Sequence, residues 1–187
     1  NRAARIQTYL KEIANQTVLF DLGIQAHVAR RYRDARIFFN TFGREFPRRE
    51  VHNNIGLTYV GEAMEVRKKL ITRGENMGPG FMFRYVLDDE PGIKKERIQR
   101  GGTRGGSLDP QISQLRKDME SLLTEAGLSF ERAIKLDPDH RESYWNLAST
   151  YLLADNAPAA YGVIAGNYVK RFGQDAMSSM LLGITAY

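Results

Sequence analysis

Three histidines, His27, His52 and His140, are the chain's best acid–base groups near neutral pH, and they stand far apart in sequence. None has a second ligand or base at helical spacing, and no HExxH pattern occurs. His52 reads as a packing residue. Cysteine is absent, which removes disulfides and thiolate metal sites. The carboxylates Asp88, Asp89 and Glu90 could face a cation, but the spacing of a calcium loop is missing, and a solvated turn is the plainer reading. The stretch RGGTRGG over residues 100–106 lacks the fingerprint and the strand–helix setting of a phosphate loop. Its Arg100 and Arg104 have the composition of single-strand RNA-binding segments, in two units only. The expectation is therefore no catalytic residue, no metal and no cofactor: a binding protein, not an enzyme.

Cations are the other reactive feature. Arg30, Arg31, Arg33 and Arg36 form a cluster, with Arg44, Arg48 and Arg49 close behind. Net charge is +5 over 187 residues, carried as +4 by residues 1–63, +3 by 64–121 and −2 by 122–187. That bias is modest beside dedicated nucleic-acid binders. A solvated face is the default for the cluster; acidic lipid, nucleic acid or an acidic protein are its alternatives. Hydrophobic residues make up 42%, as in soluble globular domains, and no run approaches the ~18–20 apolar residues of a membrane span.

The elements that position these groups follow from an internal repeat. Leu22, Gly23 and Ala26, then Ala35, Phe39 and Pro47, match Leu147, Ala148 and Tyr151, then Ala160, Ile164 and Phe172. A middle copy is split into Ile55, Gly56, Tyr59 and Ala126, Phe130, Ala133, Pro138. Gly23 to Gly56 is 33 residues and Ala126 to Ala160 is 34, yet Ala35 to Ala126, Phe39 to Phe130 and Pro47 to Pro138 are all 91. One insertion of about 57 residues inside the second copy accounts for all three offsets. Small residues at one position let two helices approach closely, large ones fill the space beside the crossing, and the prolines end helices.

This pattern resembles the tetratricopeptide repeat family, a helix–turn–helix unit of ~34 residues. The resemblance covers about residues 16–63 and 121–187. Phe42 and Asn167 stand where a small residue is usual, and Phe172 where proline is. It implies an all-α fold: one TPR-like domain over 1–187, a right-handed superhelical solenoid of antiparallel helix pairs with three and a half repeats. Expected helices lie near 2–14, 16–30, 33–46, 51–73, 110–136, 141–154, 157–171 and 175–187. The two helices flanking the insertion (about 64–121) overrun their repeat by about three turns and should project as an extended hairpin, with Asp109 capping and Pro110 opening the return helix. Its tip, 74–108, holds eight glycines. Phe81, Phe83 and Tyr85 alternate there, and Pro91-Gly92 signals a turn, a pattern compatible with a small β-hairpin. That hairpin would need a surface to pack on, so these three residues are candidate contacts, including for self-association.

The resemblance also implies a concave groove lined by the first helix of each pair. By register its candidates are Thr17, Phe20, Ile24 and His27; Glu50, Asn53, Asn54 and Leu57; Glu142, Trp145, Asn146, Ser149 and Leu152; and Met177, Met180 and Ile184. Phe20, Leu57, Trp145 and Met180 would be apolar anchors for a segment of a partner protein. Family members that bind chaperone tails use a Lys/Asn/Arg clamp. Phe20 and Ile24 replace its Lys and Asn, Glu142 and Asn146 replace a Lys and Arg, and Asn54 alone agrees, which speaks against that subtype. The functional expectation is a protein-interaction scaffold or adaptor. Its rivals are a nucleic-acid-associated factor using the basic loops, and a non-catalytic assembly domain of a larger enzyme or envelope complex. The start at Asn1 fits a fragment, so the compartment stays open: the cytoplasm is slightly favoured, and a periplasmic or envelope-associated place is compatible with a fragment.

Overall fold

The structure, a computed structural model, describes residues 2–75 and 109–185. All regular structure among them is helical. In chain order the helices are α1 (Arg2–Val28), α2 (Tyr32–Glu45), α3 (Arg49–Thr72), α4 (Pro110–Leu136), α5 (Arg141–Leu153), α6 (157–172) and α7 (Ala176–Thr185). Each packs on the next, and α5 also meets α3 and α7. The separate helices expected over 2–14 and 16–30 are one: from Arg2 to Leu22 there is no glycine or proline to stop the helix. The expected β-hairpin, with Phe81, Phe83 and Tyr85, lies outside the described residues.

The small-residue positions are close approaches. Cβ atoms built on Gly23 would lie 2.5 Å from the Phe39 ring, and on Gly56 2.6 Å from the Phe130 ring. Both rings are buried, so neither can retreat. Ala148 and Ile164 occupy the third place and are fully buried.

The turns repeat as well. After α1, Arg30 adopts φ 59° and the Arg31 N–H donates to the Ala26 carbonyl at 2.8 Å. After α5, Asp155 adopts φ 57° and the Asn156 N–H donates to the Tyr151 carbonyl at 2.8 Å. These left-handed turns sit at the same distance in sequence from Gly23 and from Ala148. The endings of α2 and α4 correspond in the same way. Phe46 (φ −130°, ψ 79°) and Asp137 (φ −142°, ψ 96°) both leave the helical region, which proline disfavours for the residue before it, and their N–H groups donate 3.0 Å bonds to the Phe42 and Ala133 carbonyls.

At the equivalent place in α3, Ala63 is helical and buried, so the chain does not turn there. Helices α3 and α4 run for 24 and 27 residues, against 14 and 13 for α2 and α5. Their extensions carry a core of their own, Val66, Leu70 and Ile112, flanked by Leu115, Met119 and Leu122. Asp109 caps α4 through a 2.8 Å bond from the Gln111 N–H, with Pro110 in the first turn. One further cluster joins α1, α2 and α3 around Ala35 and Phe39, and the largest gathers residues of α3 to α7.

Helix α6 departs from expectation in its winding. Gly162–Tyr168 forms a π-helical segment, which takes more residues per turn than the α-helix. Register then brings Tyr168, not Asn167, to the core: Ala160, Ile164 and Tyr168 are fully buried and Asn167 is exposed. The position expected to be small is thus displaced to solvent. Tyr168 donates its hydroxyl proton to Asp175, which opens α7 in a reciprocal cap with Ser178. Asp175 Oδ1 accepts from the Ser178 N–H, and the Asp175 N–H donates to Ser178 Oγ, each at 2.8 Å.

Two substitutions should act in opposite directions. Gly56→Val forces a branched side chain into the Phe130 ring and should lower unfolding stability by about 1–3 kcal/mol. Asp155→Gly relieves a left-handed backbone and should raise it by about 1 kcal/mol. Urea unfolding followed by circular dichroism checks both. Equal effects would show that the crossing and the turn do not carry the strain described.

Candidate interaction surface

The residues expected to line one face divide into three groups. Ile24 and Met180 are exposed, at 42% and 39%, at opposite ends of the helix series. Phe20, Leu57, Trp145 and Met177 are half-buried and pack on the cores instead of standing free. Phe20 lies 5.4 Å from Phe39 and 5.3 Å from Phe42, ring to ring. Phe42 therefore serves to build an aromatic cluster where a small residue was expected. Trp145 lies 5.8 Å from the Tyr168 ring. Ser149 is fully buried, so its side chain is not offered to a partner.

The third group is polar and bridges α3 to α5. Asn53 Oδ1 accepts from Asn146 Nδ2 at 3.0 Å and from Ser143 Oγ at 3.2 Å. The Ser143 hydroxyl lies 2.7 Å from His140 Nδ1. Which of the two groups donates in that contact is set by the imidazole tautomer. His140 Nε2 then faces Glu142 at 3.3 Å. Arg49 forms ion pairs with Asp137 and Glu50 beside this network. Asn54 is half-buried, and its amide makes no side-chain hydrogen bond among the described residues.

Serine, histidine and glutamate in a chain of contacts are the ingredients of an activated nucleophile. Here Ser143 is fully buried and committed to Asn53, so its oxygen cannot meet a substrate. The arrangement works as a latch between helices. Sequence spacing did not reveal it, because Asn53 and Ser143 are 90 residues apart. Among the described residues no group of three His, Asp or Glu is placed to hold a metal ion, and no helix is long and apolar enough to cross a membrane.

The arginine cluster is engaged within the molecule. Arg30 pairs with Glu65 and Arg33 with Glu62, both at 3.2 Å. Arg36 also pairs with Glu62 and stacks 4.3 Å over the Tyr59 ring. Arg31 approaches Asp34 at 3.8 Å. Lys68 and Arg30 hold the Glu65 carboxyl below its usual range, against an opposing push from burial. The cluster is thus a clasp between the α1–α2 turn and α3, with much of its charge answered internally.

No known family model and no curated protein matches this chain.

Burial holds the His140 imidazole below its ordinary 6.5, outweighing the Glu142 carboxylate, which pulls the other way. Burial, helped by Arg132, lowers His52 too. Both are therefore harder to protonate folded than unfolded. Their contribution to stability is complete above the unfolded value of 6.5 and is lost as pH falls below it. The urea midpoint should fall between about pH 7.5 and pH 5.5, and a His52→Gln, His140→Gln protein should show a flatter profile over that window. An unchanged slope in the double variant would place the dependence elsewhere. Separately, Asn53→Ala leaves Ser143 and Asn146 without their acceptor and should cost about 1–3 kcal/mol in the same assay.

Proposed function

We propose that the chain is an array of tetratricopeptide-like helix pairs, interrupted in its second unit, that acts as a protein-interaction scaffold. The observation that carries this reading is the recurrence of one local geometry. The Gly23–Phe39 and Gly56–Phe130 crossings, the left-handed turns at Arg30 and Asp155, and the pre-proline endings at Phe46 and Asp137 keep the offsets found in the sequence. Units that each bury their face only against a neighbour, stacked in order, form a superhelix with an extended inner surface. On this reading α1, α3, α5 and α7 line that surface.

The same reading gives the surface its chemistry. Exposed Ile24 and Met180 offer apolar contacts at its two ends, and the open Asn54 amide can pair with a main chain laid between them. The extended α3–α4 hairpin adds a second surface particular to this protein. The nucleic-acid alternative loses its densest arginine cluster, because Arg30, Arg33 and Arg36 are paired with Glu62 and Glu65.

Photo-crosslinking amino acids at Ile24 and Met180, with Ile37 and Tyr161 as exposed controls, test the assignment in extracts of the source cells. The scaffold reading predicts the same protein adduct at both Ile24 and Met180 and none at the controls. Adducts to nucleic acid, or protein adducts at the controls alone, would sink it.

A further inference from the structure

An open depression of about 560 Å³ lies where the end of α4 and the start of α5 meet α6. Its walls are Ile134, Tyr144, Gly166, Asn167, Lys170 and Arg171. None of the residues assigned to the inner surface takes part in it, so it is a separate site.

The winding of α6 creates this space. The π segment sends Ile164 and Tyr168 into the core and leaves Asn167 outside. Gly166 sits on that turn, and a Cβ placed on it would meet nothing within 4 Å. Unlike Gly23 and Gly56, this glycine is not required by a close approach. π turns recur at functional sites because they re-aim side chains at the expense of regular helix hydrogen bonding.

The chemistry of the walls is one-sided. Lys170 is exposed and has no ion pair among the described residues. Arg171 donates through Nε to Asp139 at 2.8 Å, but the Asp139 side chain is 74% exposed, and the other guanidinium donors stay available. The Asn167 amide stands beside them, and Tyr144 and Ile134 supply an apolar floor. Two cations, an amide and an apolar floor suit carboxylates attached to something with apolar parts. The depression is shallow and largely open, which suits a chain laid across it better than an enclosed small molecule.

We propose that this depression binds an acidic stretch of a partner protein. Its carboxylates pair with Lys170 and Arg171, its main chain meets Asn167, and an apolar side chain rests on Tyr144 and Ile134.

The probe is a fluorescein-labelled octapeptide of aspartate and glutamate with one central leucine, followed by anisotropy. A lysine–arginine peptide of equal length serves as comparison. The acidic peptide should bind and the basic one should not. Raising salt from roughly 50 mM to 200 mM should weaken the complex severalfold. Lys170→Glu with Arg171→Glu should weaken it at least tenfold. Gly166→Leu, which fills the space without changing charge, should weaken it at least threefold, while Lys117→Glu on α4 should not. Circular dichroism confirms that the variants fold. Binding as tight as the parent's by Gly166→Leu or by the double variant, no binding by the parent protein, or full competition by free glutamate at equal carboxylate concentration would each overturn the proposal.

Discussion

The structure depends on one steric constraint: a helix backbone pressed against a phenylalanine ring. At Gly23 and Gly56 no side chain fits, because Phe39 and Phe130 already occupy that space. Close approach brings the flanking faces into contact, and the buried clusters around Ala35 and Ala126 follow from it. The ring cannot yield without opening a void, and the backbone cannot withdraw without exposing the ring. The same constraint appears twice, and at the matching third place Ala148 and Ile164 are both fully buried.

Polar contacts add specificity to this frame. The Asn53–Asn146–Ser143–His140 chain fixes how α5 sits on α3, and the Arg30, Arg33 and Arg36 pairs fix how the α1–α2 turn and the start of α2 sit on α3. Both join helices whose apolar faces alone would permit sliding. The exposed members of the arginine clasp contribute little to stability individually, since solvent screens them. Their effect is on register, and they leave less positive potential outside than the sequence suggests.

Much of this was legible in the residues. Spacing of small and large positions located the crossings, the shared 91-residue offset located the interruption, and Asp109-Pro110 marked the start of α4. What was not legible has physical causes. Nothing in Ala14, Asn15 or Gln16 is a helix breaker, so a polar stretch looked like a boundary where none exists. The π segment is a tertiary compromise, in which burying the large Tyr168 ring outweighs regular winding, and single-sequence periodicity cannot anticipate it. Burial of Ser149 and the packing of Phe20 and Trp145 likewise depend on neighbours distant in sequence. Of the residues expected on one surface, Ile24 and Met180 are exposed, Asn54 is half-buried, and Phe20, Leu57 and Trp145 pack on the cores.

The central claim is that one steric unit recurs and that the α3–α4 extension interrupts it without being needed for it. The most direct measurement is thermal unfolding of a variant in which residues 62–122 are replaced by the turn sequence of residues 29–31, which gives Gly56 and Ala126 the spacing of Gly23 and Ala35. This deletes the Val66–Leu70–Ile112 cluster whole and leaves both glycine–phenylalanine crossings in place. The account predicts a helical protein with a single cooperative transition. Loss of the helical spectrum, or melting without cooperativity, would show that the extension is an integral part of the core and that the repeated unit does not stand on its own.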